Sequence, residues 1–466
     1  MSKLNEECGV FGIFDGDNVG DIVSSTYLGL FSLQHRGQEA AGIAVSNNGE
    51  ITYKKDVGLV GDIFGEKELS DLGEGQIAIG HVRYSTCGSS TPENAQPMVT
   101  TYRDGQLAVV HNGNISNAKE LRKELEENGA IFQSTSDTEI IAYLIARYRK
   151  DSKNIVEAVK KVMAVIKGAY CLLVMTKNKL LVARDPIGYR PLVVGKFPNK
   201  EKSLVFASES CALDAIGAEF VRNINPGEIW SVSKEKVKTY PSKIKPQTCI
   251  FEYIYFARPD SDIDGYSVYN SRIRAGRQLA RECPCDVDVV IGVPDSGMPA
   301  SIGFHNELVK HYPNVKYATG FIKNRYIGRT FISPTQKMRT NNVKIKLNAL
   351  KETIYGKRVA VIDDSIVRGT TSRHLIELLR SAGAKEVHFR LSSPEFLYPC
   401  YFGTDVPSKD ELFAHKYKTN EARAKALGAE SVGYLSVEGL KHMFREPRCE
   451  FCKGCFTGEY PEEINN

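Results

Sequence analysis

In the second half of the chain, residues 361–371 read VIDDSIVRGTT. A continuous apolar strand ends there in two aspartates, and a loop rich in Ser, Gly and Thr leads into a helix. The adjacent carboxylates repel each other, so a cation or a hydroxyl donor must offset them. The backbone N–H groups of the loop and the helix dipole form an anion site. Two aspartates after a strand are typical of a solvated turn, whereas the whole undecapeptide predicts a binding loop.

The segments around this loop predict a parallel α/β sheet. Apolar runs at residues 287–293 and 358–362 are continuous, and a polar loop follows each of them. Helical patterns cover residues 269–283 and 371–382, and the second of these ends at Gly383. Continuous apolar strands that alternate with loops and helices are typical of a parallel sheet, whose ligands bind beyond the carboxyl ends of the strands.

The first half of the chain predicts an α+β domain in which helices cover sheets. Short apolar segments suited to strands lie at residues 10–14, 42–45, 77–80, 107–111, 170–175 and 180–183. Helical patterns lie at residues 117–128, 137–149 and 155–166. Asn117 and Asp137 suit N-cap positions, and Gly129 suits a helix end. Residues 233–247 are rich in Lys and contain two prolines, which predicts the linker between the domains.

Composition excludes several classes of protein. The chain has 466 residues, 42% hydrophobic and 25% charged, with a formal net charge of +5, as in a soluble protein of two or three domains. No apolar run is long enough to cross a membrane, and the polar residues 1–7 carry no export signal. Eleven cysteines in such a chain argue against a disulfide framework. We therefore expect a cytoplasmic protein whose basic residues serve a polyanionic small molecule.

Cys8 opens CGVFGIF, a segment that by itself is typical of a buried core strand. Five further motifs follow it in the first half: LQHRGQEAAG (33–42), HVRYST (81–86), HNGNISN (111–117), STSDTE (134–139) and ARDPIGYRPL (183–192). Together and in this order they resemble the class II glutamine amidotransferases. That resemblance implies an N-terminal-nucleophile glutaminase domain of αββα architecture, which begins with a cysteine.

The resemblance also implies a role for several residues of this half. A thiol at the N-terminus has its own α-amine beside it, with a pKa near 7.7–8.0, which suits a general base near neutral pH. Residues 1–7 would then be a propeptide that is removed to free Cys8. Asn112 and Gly113 would stabilise the oxyanion, Arg83 would bind the α-carboxylate of glutamine, and Asp137 its α-amine. Each motif alone has a plainer interpretation, as a surface charge, a cap or a turn.

The undecapeptide of the second half resembles the phosphoribosyltransferase fingerprint. That resemblance places Asp363 and Asp364 on ribose hydroxyls and the following loop around a 5-phosphate, through Ser365, Arg368, Gly369, Thr370 and Thr371. GVPDSG, residues 292–297, resembles the pyrophosphate loop of the same fold, with Asp295, Ser296 and Gly297 as contacts. One Mg²⁺ per subunit is expected at Ser296, Asp363 and Asp364, because the leaving pyrophosphate must be neutralised.

Residues 323–348 form a segment with seven cations and no acid. A solvated loop and a nucleic-acid patch are the plainer alternatives, but aromatic residues are few and no helix-turn-helix pattern is present. The flanking GFIKNRYIGRTFI resembles the catalytic lid of the amidophosphoribosyltransferase family. Lys323 and Arg325 would then contact phosphate.

Four cysteines resemble the [4Fe–4S] ligands of the iron–sulfur subgroup of that family: Cys249, Cys400, Cys452 and Cys455. One cluster per subunit is implied, and we expect it to be structural. On ligand type alone a structural zinc site is favoured, and three local contexts that match the subgroup reverse that preference. Cys449 makes a second CxxC with Cys452, but CxxCFTG matches the family better. The other cysteines, Cys87, Cys171, Cys211, Cys283 and Cys285, are interpreted as structural.

The resemblance implies transfer of ammonia from glutamine to C1 of phosphoribosyl pyrophosphate, the committing step of purine synthesis. It implies purine-nucleotide inhibitors and a homo-oligomer, with no nucleic-acid or membrane partner. A water-excluded passage between the domains would keep the ammonia from being protonated. A sugar-phosphate aminotransferase and a phosphoribosyl-pyrophosphate-sensing regulator are the rivals. The predicted organisation is a propeptide (1–7), a glutaminase domain (8–235), a linker (236–248) and a phosphoribosyltransferase-type domain with a cluster-binding tail (249–466).

Overall fold

The computed structural model describes residues 8–47, 49–84, 91–324, 347–404, 408–446 and 448–463. The predicted propeptide, Cys87, Arg325 and most of the basic segment, residues 325–346, lie outside the described residues. Within the described part of the chain, no helix has the length and apolar character needed to cross a membrane.

The first half builds two antiparallel sheets. Its strands are β1 Gly9–Phe14, β2 Ala40–Asn47, β3 Glu50–Val57, β4 Ile77–Arg83, β5 Met98–Tyr102, β6 Gly105–Ile115, β7 Gly168–Thr176, β8 Lys179–Arg184, β9 Val193–Phe197, β10 Lys200–Ala207, β11 Glu219–Asn223, β12 Ile229–Ser233 and β13 Val237–Tyr240. One sheet has the order β11-β9-β10-β1-β4-β2-β3, and the other the order β13-β12-β8-β7-β6-β5.

Helices cover the outer faces of these two sheets. They are α1 Ile22–Ser32, α2 Val60–Ile63, α3 Glu66–Leu72, α4 Ala118–Glu127, α5 Asp137–Arg149, α6 Ile155–Val165 and α7 Cys211–Asp214, with a 3₁₀ turn at Pro92–Asn94. Val10 and Ile79 of the first sheet pack against Val110 and Leu173 of the second. Helix α1 packs on the outside of the first sheet, and α4, α5 and α6 on the outside of the second. The αββα prediction is confirmed.

The second half contains a parallel sheet. The strands of the second half are β14 Gln247–Cys249, β15 Asp262–Ile263, β16 Tyr266–Ser267, β17 Val289–Gly292, β18 Lys316–Tyr317, β19 Phe321–Lys323, β20 Leu347–Ala349, β21 Arg358–Asp363, β22 Glu386–Leu391, β23 Ser431–Tyr434 and β24 Glu450–Cys452. The five strands ordered β18-β17-β21-β22-β23 all run parallel, as predicted. β14 pairs with β24 in a separate two-stranded sheet.

The helices of this half flank the parallel sheet. They are α8 Val268–Glu282, α9 Gly297–Leu308, α10 Lys351–Ile354, α11 Thr370–Ser381, α12 Phe413–Lys416, α13 Asn420–Leu427 and α14 Gly454–Thr457. A π-helical turn covers Glu252–Phe256, and 3₁₀ turns cover Lys409–Glu411 and Gly439–Met443. Apolar residues of α11, such as Leu375 and Leu379, pack on Val361 and Phe389 of the sheet.

The structure bears on three local predictions. Ser136, and not Asp137, is the N-cap of α5, and its side chain accepts a hydrogen bond from the Thr138 N–H at 3.3 Å. Asn117 is the N-cap of α4 but makes no capping bond, because its side chain bonds Val165 and Lys167 instead. Within the predicted linker, β13 pairs with β12 and extends the second sheet.

Candidate active sites

The first candidate site lies where β1 and β4 meet. Gly9 is paired with Val82, so Cys8 stands beside Arg83 at the end of the antiparallel ladder. The Cys8 Sγ donates to the Tyr84 carbonyl at 3.4 Å, and the side chains of Cys8 and Arg83 are buried. The sequence motifs CGVFGIF and HVRYST are therefore adjacent in the fold, as one site requires.

Asn112 and Gly113 lie on β6 of the facing sheet. The fully buried Asn112 side chain donates from Nδ2 to Ser208 Oγ at 3.4 Å, and Ser208 Oγ accepts from the Val10 N–H at 2.9 Å. Ser208 thus bridges Asn112 to the strand that follows Cys8. Gly113 has φ +142°, and a Cβ there would lie 2.0 Å from the Ala169 carbonyl oxygen, so only glycine fits.

Asp137 is buried at the first turn of α5, beyond the end of β6. Its carboxylate accepts from the Ile115 N–H at 3.0 Å and lies 3.5 Å from His111 Nδ1. Burial by itself would raise the pKa of Asp137, but the His111 charge and the hydrogen bonds outweigh it, so the pKa is lowered. Asp137 is therefore a buried carboxylate that stays ionised, and the interpretation as a cap is wrong.

Sequence reasoning missed an ion-pair group that lies between the two halves. Arg36 Nε donates to the Cys8 carbonyl at 3.1 Å, Arg36 NH1 to Glu209 at 2.6 Å, and Arg36 NH2 to Glu252 at 2.7 Å. All three charged side chains are fully buried. We call Arg36, Glu209 and Glu252 the Arg36 junction. Arg36 lies in a quoted motif, but nothing local identifies Glu252, 216 residues away, as its partner.

Charges near Glu209 keep its carboxylate ionised. Burial tends to raise the pKa of Glu209, but His35 at 2.7 Å and Arg36 at 2.6 Å hold it far below its usual range. Glu209 also accepts from Ser261 Oγ at 2.6 Å and from the Arg258 N–H at 2.9 Å, both in the second half. The junction therefore joins the halves through charged hydrogen bonds in the interior, where they are strong.

The second candidate site lies at the carboxyl ends of β17 and β21. A Cβ on Gly297 would lie 2.3 Å from the Ile362 carbonyl oxygen, so glycine lets the two strand ends approach closely. Ser296 Oγ donates to Asp364 Oδ2, and Ser365 Oγ donates to Asp364 Oδ1 at 2.6 Å. Two hydroxyl donors thus offset the charge of buried Asp364, as the sequence predicts, and the buried Asp363 carboxylate accepts from the Asp364 N–H at 2.9 Å.

A small cavity, open to solvent, runs along the loop between β21 and α11. Its lining includes Asp363, Asp364, Ser365, Arg368, Gly369, Thr371, Ser372 and Tyr255. Gly369 has φ +80° at the N-cap of α11, and a Cβ there would lie 2.4 Å from the Phe413 ring. The N-terminus of α11 therefore opens into the cavity, which suits a phosphate group.

The cations expected at this site are held by carboxylates. Lys323 Nζ pairs with Asp295, and Arg368 Nε donates to Glu411 at 2.9 Å. Both Lys323 and Asp295 are exposed to solvent, so this pair is weakly held. An incoming polyanion would compete with the two carboxylates for these cations.

The π-helical turn Glu252–Phe256 joins the two candidate sites. Glu252 belongs to the Arg36 junction, and Tyr255 lines the cavity. Buried Arg272 donates to the Tyr253 and Ala257 carbonyls at 2.8 Å each and so fixes the turn. Burial lowers the pKa of Arg272 to about 10, against the opposing effect of Asp364 and other acids. One short turn therefore contacts the Cys8 side and the Asp364 side.

Four predicted metal ligands lie together beside the two-stranded sheet. Cys249 of β14 is paired with Cys452 of β24, and Cys400 and Cys455 pack against the same apolar residues. Burial, together with the neighbouring Cys249, Cys400 and Cys452 sulfurs, raises the pKa of Cys455. In the described part of the chain no three His, Cys, Asp or Glu side chains have the spacing that one metal ion requires. The thiols are thus grouped, but not at single-ion spacing.

Cys449 has different surroundings. Burial and the charge of Asp264 raise the pKa of Cys449 to about 12, whereas the pKa of Cys452 is raised by burial and by Cys400. Asp264 is thus the neighbouring charge that raises the pKa of Cys449, whereas a cysteine of the group acts on Cys452. This supports the choice of Cys455 as the partner of Cys452 in the CxxC motif.

Comparisons with known proteins match both halves of the chain. A family model described as a glutamine amidotransferase domain matches residues 81–215, and one described as a phosphoribosyl transferase domain matches residues 269–392. An amidophosphoribosyltransferase of Methanocaldococcus jannaschii is 45% identical over 98% of both chains. That of Bacillus subtilis is 44% identical, over 100% of this chain and 96% of the relative. This chain belongs to the amidophosphoribosyltransferase family.

Solved structures of the family have the same fold. The Bacillus subtilis glutamine phosphoribosylpyrophosphate amidotransferase, complexed with ADP and GMP, superposes with a TM-score of 0.88 at 43% identity, over 98% of both chains. A structure described as the allosteric regulatory enzyme of purine biosynthesis gives a TM-score of 0.89 at 43% identity. As an amidophosphoribosyltransferase, the chain catalyses the first step of purine biosynthesis from glutamine and phosphoribosyl pyrophosphate.

Proposed function

We propose that Cys8 is the glutaminase nucleophile once residues 1–7 have been removed. The free α-amine takes the thiol proton, the sulfur attacks the carboxamide carbon of glutamine, and the C–N bond breaks. The amine returns the proton to the leaving nitrogen, which departs as ammonia, and water then hydrolyses the thioester to glutamate. The adjacency of Cys8 to Arg83 and the Ser208 bridge to Asn112 support this assignment.

The surrounding residues fit the binding of glutamine. Asn112 Nδ2 has a long 3.4 Å bond that it can exchange for an oxyanion, and the Gly113 N–H would be the second donor. The Arg83 guanidinium would hold the α-carboxylate as a bidentate fork. Asp137, kept ionised by His111, would accept from the α-ammonium group. Burial of these groups excludes water and strengthens each electrostatic contact.

At the second site, the residues would orient phosphoribosyl pyrophosphate for attack by ammonia. Asp363 and Asp364 would accept from the ribose hydroxyls. Ser365, Gly369, Thr370 and Thr371 would donate to the 5-phosphate at the N-terminus of α11, with Arg368 adding charge. Asp295, Ser296 and Gly297 would contact the pyrophosphate, and Lys323 would exchange Asp295 for a phosphate oxygen. Arg325, the other expected phosphate contact, lies outside the described residues.

The donor set of this site fits Mg²⁺. Two buried carboxylates and a hydroxyl converge at Asp363, Asp364 and Ser296, and Mg²⁺ prefers oxygen ligands. When bound, Mg²⁺ would neutralise the departing pyrophosphate. The ammonia nitrogen forms its bond to C1 as the C1–O bond to pyrophosphate breaks.

The four grouped thiols fit a [4Fe–4S] cluster held by Cys249, Cys400, Cys452 and Cys455. Four sulfurs in an apolar environment are the donor set that iron–sulfur clusters use. Because β14 follows the first half and β24 lies in the C-terminal tail, the cluster would tie the tail to the body.

Ammonia made at Cys8 must reach the Asp364 side without protonation. The buried Arg36 junction and the turn Glu252–Phe256 separate the two sites, and Tyr255 borders the cavity. We propose that the passage follows this turn, where water is excluded.

The regulation of the enzyme is inferred from a relative, and its location and oligomeric state from the sequence. Because the Bacillus subtilis relative was solved with ADP and GMP, we propose that purine nucleotides inhibit this enzyme. A homo-oligomer without nucleic-acid or membrane partners, located in the cytoplasm, remains the expectation from sequence.

One preparation tests the processing and the cofactor together. Anaerobically purified protein should have an intact mass that begins at Cys8, four irons and four acid-labile sulfides per chain. The proposal of a cluster rests on the pairing of Cys249 with Cys452 in the two-stranded sheet. Stoichiometric zinc without sulfide would refute the cluster, and fully active protein that retains residues 1–7 would refute the role of the α-amine.

A further inference from the structure

Tyr189 is a residue of the first half that packs against the predicted cluster ligands. It follows β8 in the motif ARDPIGYRPL, and its side chain is buried, with 1% of the residue exposed. Its ring stacks on Phe402 with centroids 4.4 Å apart, and Cys400 and Cys452 pack against the same pair. Its carbonyl accepts from the Cys249 N–H at 3.1 Å. Tyr189 therefore contacts the segments of three of the four ligands.

The Tyr189 hydroxyl has no hydrogen-bond partner among the residues that the structure describes. Leaving a buried hydroxyl without a hydrogen bond is unfavourable, and phenylalanine would avoid that cost in the same packing. A phenol O–H is a hydrogen-bond donor, and Cys400 and Cys452 pack against the same group as Tyr189. A donor in this position requires an acceptor, and the grouped sulfurs are close to it.

We propose that the Tyr189 hydroxyl donates a hydrogen bond to a sulfur of the iron–sulfur cluster, a Cys400 or Cys452 thiolate or a sulfide. This inference rests on the cluster proposed above. Hydrogen bonds to cluster sulfurs stabilise the more negative, reduced state and so set the reduction potential. The donor comes from the glutaminase half and the sulfurs from the other half, so the bond would also tie the two halves together.

Two neighbouring residues provide the comparisons that the test needs. Tyr460 packs against the same group, but its hydroxyl already donates to the Pro399 carbonyl at 2.6 Å. Glu462 is the competing acceptor for Tyr189, and its carboxylate already accepts from the Gly168 N–H at 3.0 Å. Tyr460→Phe therefore removes a hydroxyl that lies near the same sulfurs but already donates to a carbonyl. Glu462→Gln tests whether Tyr189 acts through the carboxylate.

The experiment compares anaerobically purified wild type, Tyr189→Phe, Tyr460→Phe and Glu462→Gln. Iron and sulfide analysis first establishes equal cluster content. Resonance Raman spectra in H₂O and D₂O then follow the Fe–S stretching bands, and a redox titration follows the midpoint potential. We expect Tyr189→Phe to raise the Fe–S(Cys) frequencies, to lose part of the solvent-isotope shift and to make the potential more negative. Tyr460→Phe and Glu462→Gln should match wild type.

The outcomes separate this inference from the cofactor assignment. Wild type without iron and sulfide would refute the cluster itself, and the inference with it. Fully loaded Tyr189→Phe with wild-type bands and potential would refute the hydrogen bond while leaving the cluster standing. Equal shifts in Tyr189→Phe and Glu462→Gln would also refute it, because the phenol would then act through the carboxylate.

Discussion

Replacing Glu252 by Gln should weaken the joint between the two halves. Arg36 donates to Glu252 at 3.0 Å from NH1 and at 2.7 Å from NH2, and both side chains are fully buried. Glutamine keeps the shape but removes the charge and one acceptor oxygen. Breaking a buried ion pair through one partner costs about 3–5 kcal/mol. Because Glu209 still contacts Arg36 at 2.6 Å, we expect the lower end, about 3 kcal/mol.

The sequence offers a selective probe for this measurement. Trp230 is the single tryptophan of the chain and is buried on β12 of the first half, so its fluorescence follows the unfolding of that half. With urea slopes of about 1–3 kcal/mol per molar, a loss of about 3 kcal/mol lowers the midpoint by on the order of 1–3 M. Glutamine-dependent turnover should fall more than ammonia-dependent turnover, because Arg36 also holds the Cys8 carbonyl.

An exposed ion pair provides the matched control. Glu438 pairs with Lys441, and both side chains are at least 70% exposed, so Glu438→Gln should change the midpoint little. If Glu252→Gln unfolds at the same urea concentration as wild type or Glu438→Gln, the Arg36 junction does not hold the halves together and this reasoning is wrong.

Four further predictions follow from other parts of the structure. Asp363→Asn or Asp364→Asn should slow glutamine- and ammonia-dependent pyrophosphate release by roughly 100-fold, because both reactions need the ribose in place; normal rates with ammonia would contradict the assignment. Gly113→Ala should cost on the order of 1–3 kcal/mol in the Trp230 unfolding transition and abolish glutaminase activity, since its Cβ would lie 2.0 Å from Ala169 O; a wild-type glutaminase rate would refute the need for glycine. Cys400→Ser should lose iron, sulfide and thermal stability without oxygen exposure; a stable, fully active protein without iron would exclude a structural cluster. Because the pKa of Asp137 is lowered on folding, its contribution to stability is present above about pH 4 and is lost as the pH falls through the folded value. In urea titrations the difference in unfolding free energy between wild type and Asp137→Asn should therefore become smaller in acid. A difference that does not change with pH would contradict an ionised Asp137.

The sequence predicted the layers because hydrophobic periodicity and turn residues are local signals. The strand Arg358–Asp363 and the Ser-, Gly- and Thr-containing loop before α11 were predicted as a strand end and an anion-binding loop, and the structure has both. The edge strand β13 was not predicted, because the Lys and Pro residues within 236–246 are typical of a linker. Edge strands also tolerate Lys, so this composition does not exclude a strand.

Long-range pairing could not be predicted in the same way. The contact between Arg36 and Glu252 spans 216 positions, and no local pattern distinguishes a buried arginine from an exposed one. The N-cap of α5 was misassigned because Ser136 and Asp137 are both good caps, and only the fold buries Asp137 beside His111. The grouping of the four cysteines came from resemblance, since their separation in sequence carries no geometric information.

The central claim is that one chain makes ammonia at Cys8 and uses it at the separate Asp363–Asp364 loop. Cys8→Ala tests it most directly, with phosphoribosyl-pyrophosphate consumption measured first with glutamine and then with added ammonia. We expect glutamine-dependent turnover to be abolished and ammonia-dependent turnover to stay within about twofold of wild type, because only the first reaction needs the thiol. Glutamine-dependent turnover that survives in Cys8→Ala, or ammonia-dependent turnover that is lost with it while the protein stays folded, would contradict the account.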